Sequence, residues 1–318
     1  MRAAVYDRPG PPEVLRVVDL PRPACPANGV VIRIEAISLE GGDLINRARS
    51  ELQPGVALGY AAAGIIVEVG DEVSDREIGQ RVTSWDLAGS HAEYRAVPAL
   101  RTWIVPDALG LARAACVPIA FGAAHYCLFD RGGLQHGETV LIQAGAGGVG
   151  LAAIQLAHHA GATVIATVSG AERVERLKRL GLDHAIDYRA NHVEETVKGL
   201  TAGQGVDLIV DPVGSTVRSS LTALRPEGRL VAVGNAGDGA LEIDLWPVLQ
   251  ANQSVIGVFM GTQLEKPDIH ASVSRLLDRA AVGEFEVIID RRFRLDEIEA
   301  AHRYAQTTPI FGRVVVTP

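Results

Sequence analysis

The reading turns on Val140-Leu141-Ile142-Gln143-Ala144-Gly145-Ala146-Gly147-Gly148-Val149-Gly150-Leu151-Ala152-Ala153-Ile154. Residues 140–144 form a short apolar run suited to a buried strand, and 149–159 are Ala-rich and suited to a helix. Between them, Gly145, Gly147 and Gly150 satisfy G-x-G-x-x-G in the strand–turn–helix setting that gives this pattern meaning. Glycines there let the backbone turn tightly and approach a pyrophosphate, whose charge meets free N–H groups at the helix start. A glycine-rich turn with no ligand is the competing reading. About 20 residues on, an Asp or Glu would hold an unphosphorylated ribose. The sequence there is Ala166-Thr167-Val168-Ser169-Gly170-Ala171, with no acid. Ser169 can donate to a phosphate and Arg173 can pair with it, which favours NADPH over NADH. Glu172 beside Arg173 argues the other way, and Ser169 as a helix N-cap with Arg173 as a solvated charge is the plainer alternative.

Outward from this turn, strand and helix alternate. Strands are expected at 140–144, 163–168, 184–188, 206–213, 229–233 and 254–259, with helices at 149–159, 171–180, 193–200 and 217–224. Near-continuous Val/Ile strands between helices imply a parallel sheet covered on both faces. Towards the N-terminus, 30–37 and 63–69 read as strands among Pro and Gly clusters, and no ordinary amphipathic helix is expected before about Leu109. Residues 112–129 form an apolar, Ala-rich helix entered or interrupted at Pro118. The tail reads as a helix at 267–281, a strand near Val287, a helix at 296–306 and a closing strand, GRVVVTP, that returns to the first domain.

Composition narrows the function classes. The 318 residues are 47% hydrophobic, enough for a substantial core, and 30 Lys and Arg against 38 Asp and Glu give a net charge of −8. That balance, without a basic–aromatic patch, argues against a nucleic-acid partner. Residues 139–171 contain no Asp, Glu, Lys or Arg, long enough to span a bilayer. The glycine turn, His158, His159 and Gly161 break this stretch into a strand–helix–strand unit, so no membrane span is expected. Three cysteines without metal-ligand spacing point to a reducing, cytoplasmic setting, and the start MRAAVYDRPG lacks a signal core.

Several blocks in order carry a family resemblance: MRAAVYDRPGPPEVLRVVDLP, GYAAAGIIVEVGDEV, GSHAEYRAVP, AACVPIAFGAAHYCL, GAGGVGLAAIQLAHHAGATVIATV, VDLIVDPVG, GRLVAVGNAG and FGRVVVTP. The chain resembles the medium-chain dehydrogenase/reductases, specifically the zinc-free quinone oxidoreductase (zeta-crystallin-like) branch. The resemblance implies an α/β protein. A GroES-like β-rich catalytic domain (1–112, completed by 265–318) would accompany a Rossmann doubly wound parallel-sheet domain (113–264). It implies that Gly145, Ala146, Gly147, Gly148 and Val149 hold the pyrophosphate. Ser169, Arg173 and Tyr188 would surround the 2′-phosphate, with a strand-terminal core aromatic as the alternative for Tyr188. Val233, Gly234 and Asn235, then Val258, Phe259 and Met260, would run along the cofactor, although Asn235 suits a turn equally well. A homodimer through the sheet edge near 254–261 is the family expectation.

Zinc-dependent members hold their metal at positions matching Glu40, Tyr60 and Ile119 here. Carboxylate, phenol and alkyl groups are not a tetrahedral zinc set, and no Cys-rich lobe is present, so no metal is expected. The branch's Asn-x-x-Asp-x-Tyr segment reads Glu40-Gly41-Gly42-Asp43-Leu44-Ile45, and the Thr facing the nicotinamide becomes Ala123. Without a metal, an acceptor that already draws electrons suits the site, either a quinone or an α,β-unsaturated carbonyl. Tyr60 would donate a hydrogen bond or proton, with Glu40 orienting it or acting as the acid. The plainer reading has Tyr60 filling space, Glu40 capping the Gly turn and the proton coming from water. Asp43 reads as structural. A non-enzymatic NADPH-binding redox sensor, or a crystallin-like protein, is the alternative to a reductase.

Overall fold

The computed structural model describes residues 1–237, 239 and 241–318. Two compact units divide it, Met1–Ile119 with Gly261–Pro318, and Ala120–Met260. In the first lie β1 (Arg2–Val5), β2 (Arg16–Asp19), β3 (Gly29–Leu39), β4 (Ala61–Val69), β5 (Arg81–Trp85), β6 (Tyr94–Pro98) and β7 (Thr102–Ile104). The second carries β8 (Thr139–Ile142), β9 (Thr163–Val168), β10 (His184–Asp187), β11 (Val206–Asp211), β12 (Leu224–Ala232) and β13 (Ser254–Gly257). The chain then returns to the first with β14 (Ile289–Arg294) and β15 (Arg313–Thr317). Helices are α1 (Gly41–Arg49), α2 (Leu111–Arg131), α3 (Gly148–His159), α4 (Ala171–Lys178), α5 (Val193–Leu200), α6 (Val217–Ala223), α7 (Leu245–Gln250), α8 (Pro267–Ala281) and α9 (Ile298–Thr307).

In the first unit the strands run in the order β14-β15-β3-β4-β5-β7, with β6 also paired to β3. β15 runs parallel to β14 and antiparallel to β3, so the tail completes the sheet that the N-terminal strands begin. Ile34, Ile37, Leu39, Leu58, Leu295, Ile298, Val314 and Val316 meet in one core. Each is an apolar residue whose removal from water contributes about 1.5–3 kcal/mol for a fully buried aliphatic side chain, before the conformational freedom it loses is counted.

The second unit is an all-parallel sheet, β10-β9-β8-β11-β12-β13. Strand order runs outward both ways from β8 and β11, so the turn after β8 sits at the reversal point where doubly wound sheets bind ligands. Leu141, Ile165, Ile186, Ile209, Leu221 and Leu230 pack its core. The charge-free stretch at 139–171 becomes β8, α3 and β9, with Val140, Ile154 and Val164 fully buried.

Several elements differ from the sequence reading. α1 is a nine-residue helix before Leu109, where none was expected. Its opening Gly41-Gly42 reads as a break, yet the Glu40 amide closes the first turn by donating to the Asp43 carboxylate at 2.8 Å, and the Tyr60 amide holds Asp43 from outside the helix. α7 was missed because Pro247 lies within it; Pro is tolerated there because it falls in the first turn, where its missing N–H has no helical partner. β12 starts at Leu224 rather than 229, and the strand expected near Val287 starts at Ile289. The unit boundaries fall at 119/120 and 260/261, because the first turn of α2 packs on β3, β4 and β5. That helix changes winding along its length, with π-helical turns at Val117–Phe121 and Tyr126–Arg131. By length and composition α2 is long and apolar enough to cross a membrane, but 67% of its most apolar window is buried inside the protein.

Candidate functional site

The glycine turn is built by close packing. A Cβ on Gly150 would lie 2.3 Å from the Ala144 carbonyl oxygen, and one on Gly145 would lie 2.9 Å from the Ala166 Cβ. Helix α3 can therefore meet β8 and β9 only with glycine at these places. Ala144 enters the turn in the left-handed region, φ 54°, and its amide donates to Thr167 Oγ1 at 2.9 Å. The N-cap of α3 is Gly147, and no side chain caps it. Its first amides and its partial positive end thus face outward from the turn, the arrangement that suits a pyrophosphate.

At the end of β9, Arg173 donates to Ser169 Oγ at 2.7 Å. The N-cap of α4 is Gly170, at φ 90°, so Ser169 is not the cap that the plainer reading made it. Hydroxyl and guanidinium are held side by side, a fit for a phosphate monoester on a ribose. Tyr188, just beyond β10, is 51% exposed, which removes the core-aromatic reading; Arg189 lies over its ring. Val233, Gly234 and Asn235 follow β12 and Val258, Phe259 and Met260 follow β13, so both runs lie at the same sheet end as the glycine turn. Asn235 Nδ2 donates to the Gly239 carbonyl, while its buried Oδ1 has no partner among the described residues. Phe259 is largely exposed and Met260 buried.

Behind the strand ends runs a buried polar chain that the sequence reading missed. Thr167 Oγ1 donates to Gln143 Oε1, Gln143 Nε2 to Ser220 Oγ, and Ser220 Oγ to Asp211 Oδ2, at 2.8, 3.0 and 3.0 Å. Asp211 also receives the amides of Val213 and Gly214 and the hydroxyl of Thr216. These bonds fix the loops after β8, β9 and β11 from beneath, and the Asp in VDPVG was the available signal. An open depression of about 600 Å³, lined by Thr139, Thr163, His184, Thr201 and Arg225, lies at the opposite strand ends. Ligands of such sheets bind at the carboxyl ends, so the glycine turn, not this depression, marks the site.

In the first unit, Asp43 joins the segments bearing the two residues assigned to catalysis. Its Oδ2 accepts the Glu40 amide and its Oδ1 accepts the Tyr60 amide, at 2.8 and 3.0 Å. Burial pushes its carboxyl up to about 8, against the pull of those two amides and of Arg313. The side chains of Glu40 and Tyr60 then turn to different partners. Glu40, 3% exposed, accepts from Ser38 Oγ at 2.6 Å and forms an ion pair with Arg313. Burial still raises its carboxyl above the ordinary range, with Arg313 and Ser38 opposing. Tyr60 is part-buried; Asn46 Nδ2 donates to its hydroxyl at 2.9 Å, and its ring meets Trp85 edge-on with centroids 6.3 Å apart. Burial raises the phenol's pKa, and the neighbouring Asp43 adds to this. Neither Asn46 nor Arg313 was legible as a partner, since each acts on a residue remote in sequence.

The remaining polar candidates have structural partners. His91 and His302 are fully buried with their Nε2 atoms 3.3 Å apart, and His91 Nδ1 meets Ser90 Oγ. His125 is part-exposed and pairs with Asp130. Cys116 and Cys127 are buried free thiols. Ile119 is apolar, and among the described residues no group of three or more His, Cys, Asp or Glu side chains is placed to hold a metal ion.

Comparison with known proteins agrees with both units. The alcohol dehydrogenase GroES-like domain model matches residues 26–107, and the model described as zinc-binding dehydrogenase matches 148–279. The human synaptic vesicle membrane protein VAT-1 homolog is 31% identical over 318 residues, covering 93% of this chain and 81% of that protein. A 2-haloacrylate reductase from a Burkholderia species is 32% identical over 273 residues, covering 84% and 82%. The Escherichia coli quinone oxidoreductase complexed with NADPH superposes with a TM-score of 0.93 at 27% identity, covering 100% of both chains. With both domain models matched in order, and with relatives of this identity aligned along most of their length, the chain belongs to the medium-chain dehydrogenase/reductase superfamily, in its quinone oxidoreductase branch.

Proposed function

We propose that the protein is an NADPH-dependent, zinc-independent reductase of quinones or α,β-unsaturated carbonyls. The observation that carries this reading is the Ser169–Arg173 pair at the strand end beside an uncapped glycine turn. Gly145, Ala146, Gly147, Gly148 and Val149 would hold the pyrophosphate, and Ser169, Arg173 and Tyr188 the 2′-phosphate. Val233, Gly234, Asn235, Val258, Phe259 and Met260 would line the remainder. Bound there, the nicotinamide would supply a hydride to the acceptor.

The chain's own residues must then stabilise the oxyanion or enolate that develops. Tyr60 presents a phenol that is neutral at ordinary pH, its pKa raised further by burial, and would donate to that oxygen. Glu40 is committed to Arg313 and Ser38, which suits a residue that shapes the segment carrying Asp43 rather than one that releases a proton. The same commitment supports zinc independence, since a carboxylate already paired with arginine, a phenol and Ile119 make a poor ligand set. The Burkholderia relative's name points to an electron-poor C=C acceptor, and the E. coli neighbour's to a quinone.

A second copy of the chain would cover the edge of the parallel sheet. β13 is an outer strand, and near it Leu245, Trp246 and Leu249 of α7 are exposed, Trp246 by 64%. An apolar face beside an open strand edge invites pairing. The free cysteines suit a reducing compartment, the cytoplasm.

The test is NADPH oxidation by chelator-treated enzyme with 9,10-phenanthrenequinone, 1,4-naphthoquinone and simple enones. Turnover that survives metal removal is expected. Tight NADPH binding without turnover on the whole panel would replace this reading with a redox sensor. Sedimentation of wild type against Trp246→Glu tests the dimer, and an unchanged oligomeric state would refute it.

A further inference from the structure

The phenol of Tyr60 is more constrained than a space-filling tyrosine needs to be. Its backbone amide is held by Asp43 Oδ1 at 3.0 Å. Its ring occupies space that only a glycine leaves: a Cβ on Gly42 would stand 2.3 Å from Tyr60 Cε2. On another side the ring meets Trp85. With backbone and ring fixed, the remaining freedom is the direction of the hydroxyl hydrogen, and one residue addresses it. Asn46, one helical turn after Asp43 on α1, gives its Nδ2–H to the phenol oxygen at 2.9 Å.

A phenol has one hydrogen to give and lone pairs to receive. When a lone pair takes the Asn46 hydrogen, the hydroxyl's own hydrogen must point elsewhere, and no acceptor for it is found among the described residues. We infer that Asn46 is a positioning residue for the reductase: by donating to Tyr60, it directs the phenolic hydrogen towards the acceptor's oxygen. This deepens the proposed function and rests on its reading of Tyr60 as the donor. The branch's usual Asn and Tyr in this segment are Glu40 and Ile45 here, so Asn46 and Tyr60 form a different polar pair built on the same helix and the strand entry facing it.

The chemistry gives the inference a sharp signature. Asn46→Leu removes the donor and leaves the phenol free to rotate. Asn46→Asp, nearly the same shape, replaces a donor by an acceptor, so the phenol turns its hydrogen onto the new carboxylate and away from the acceptor. A role in packing alone would make the leucine variant the worse of the two. The inference makes the aspartate variant the worse at neutral pH and lets it recover as the medium is acidified and the new carboxyl takes up a proton. The opposite amide orientation, with the phenol donating to Asn46 Oδ1, predicts that Asn46→Asp leaves turnover unchanged.

The experiment measures kcat and KM for NADPH, a quinone and an enone in wild type, Tyr60→Phe, Asn46→Leu, Asn46→Asp, and both Asn46 variants on the Tyr60→Phe background. Tyr60→Phe should lower kcat roughly 100-fold. Asn46→Leu should lower it about 10-fold and Asn46→Asp more, each with KM for NADPH nearly unchanged and with no further effect once Tyr60 is Phe. A second readout needs no turnover. Ultraviolet titration of the cofactor-free protein, with the Tyr60→Phe curve subtracted, should show the Tyr60 ionisation moving to higher pH in both Asn46 variants. If Tyr60→Phe turns over like wild type, the donor reading fails and the inference with it. If Tyr60→Phe is slow while both Asn46 variants keep wild-type kcat and titration, the inference alone is overturned.

Discussion

Replacing Arg313 tests what holds the buried acids of the first unit. Its guanidinium pairs with Glu40, whose side chain is nearly sealed from water, and also reaches the Leu39 carbonyl. Arg313→Met removes the positive charge while keeping an unbranched apolar stem. The Glu40 carboxylate then has Ser38 alone, and an uncompensated buried charge costs about 3–5 kcal/mol. For a unit of this size each kcal/mol shifts the melting temperature by about 2–4 °C, so Tm should fall by roughly 6–20 °C. Tryptophan fluorescence reports the right transition, because Trp85 and Trp103 are buried in the first unit whereas Trp246, in the second, is exposed. The loss should also depend on pH. Without Arg313 the Glu40 pKa rises further above its unfolded value, so the folded variant holds a proton that the unfolded chain releases. Burial already holds the wild-type Glu40 carboxyl above its ordinary range, so both proteins lose stability alike until that carboxyl ionises; the gap between them widens as pH rises beyond that point and closes below it. Adding Glu40→Gln to Arg313→Met should recover most of the lost stability, because a neutral amide still receives the Ser38 hydroxyl and needs no counter-charge. A single-variant loss below about 1 kcal/mol, or no recovery in the double variant, would refute the reasoning.

Arg173→Ala should weaken NADPH binding about 10- to 100-fold and leave NADH nearly unaffected, as measured by fluorescence titration; equal losses for both would mean that Arg173 does not meet the 2′-phosphate. Gly150→Ala places a methyl 2.3 Å from the Ala144 carbonyl oxygen and should abolish measurable binding of either nucleotide while lowering the stability of the second unit. Burial holds His91 down to about 3 and His302 well below its ordinary 6.5, so below about pH 6.5 the unfolded chain takes up protons that the folded protein refuses. Stability from the pair is whole above that pH and falls as the medium is acidified. The raised carboxyl of Asp43 acts in the opposite sense from 3.8 towards about 8, so the measurement must compare variants. His302→Gln should shrink the stability lost between about pH 6 and about pH 5 by about 1 kcal/mol relative to wild type in denaturant titrations.

The parallel sheet was legible because each of its strands is a local apolar run and its central turn has a local glycine pattern. The same locality exposed Ser169 and Arg173, four residues apart across the start of α4. α1 was hidden because its first turn depends on contacts that are distant in sequence: Gly42 is glycine to make room for Tyr60, and the stretch looks like a break until that ring is placed. The polar cluster was half visible. Glu40, Asp43 and Tyr60 stood out as residues occupying unusual positions, but their partners Arg313 and Asn46 are identified only by folding. Glu40 in particular reads in sequence as a partner of Tyr60, an acid or a cap of the Gly turn, and in the structure as half of an ion pair.

The interior place of β15 has a consequence for synthesis. Residues 313–317 lie between β14 and β3, not at a margin of their sheet. On the ribosome, all strands of the second unit have emerged once residue 260 is out, so that sheet can close early. The first unit must wait, with the end of β3 that β15 will pair left bare through the translation of residues 40–312, until its missing slat and Arg313 arrive together. A nonsense change that spares every cofactor contact but cuts these last few residues would leave a nascent protein prone to chaperone capture or aggregation.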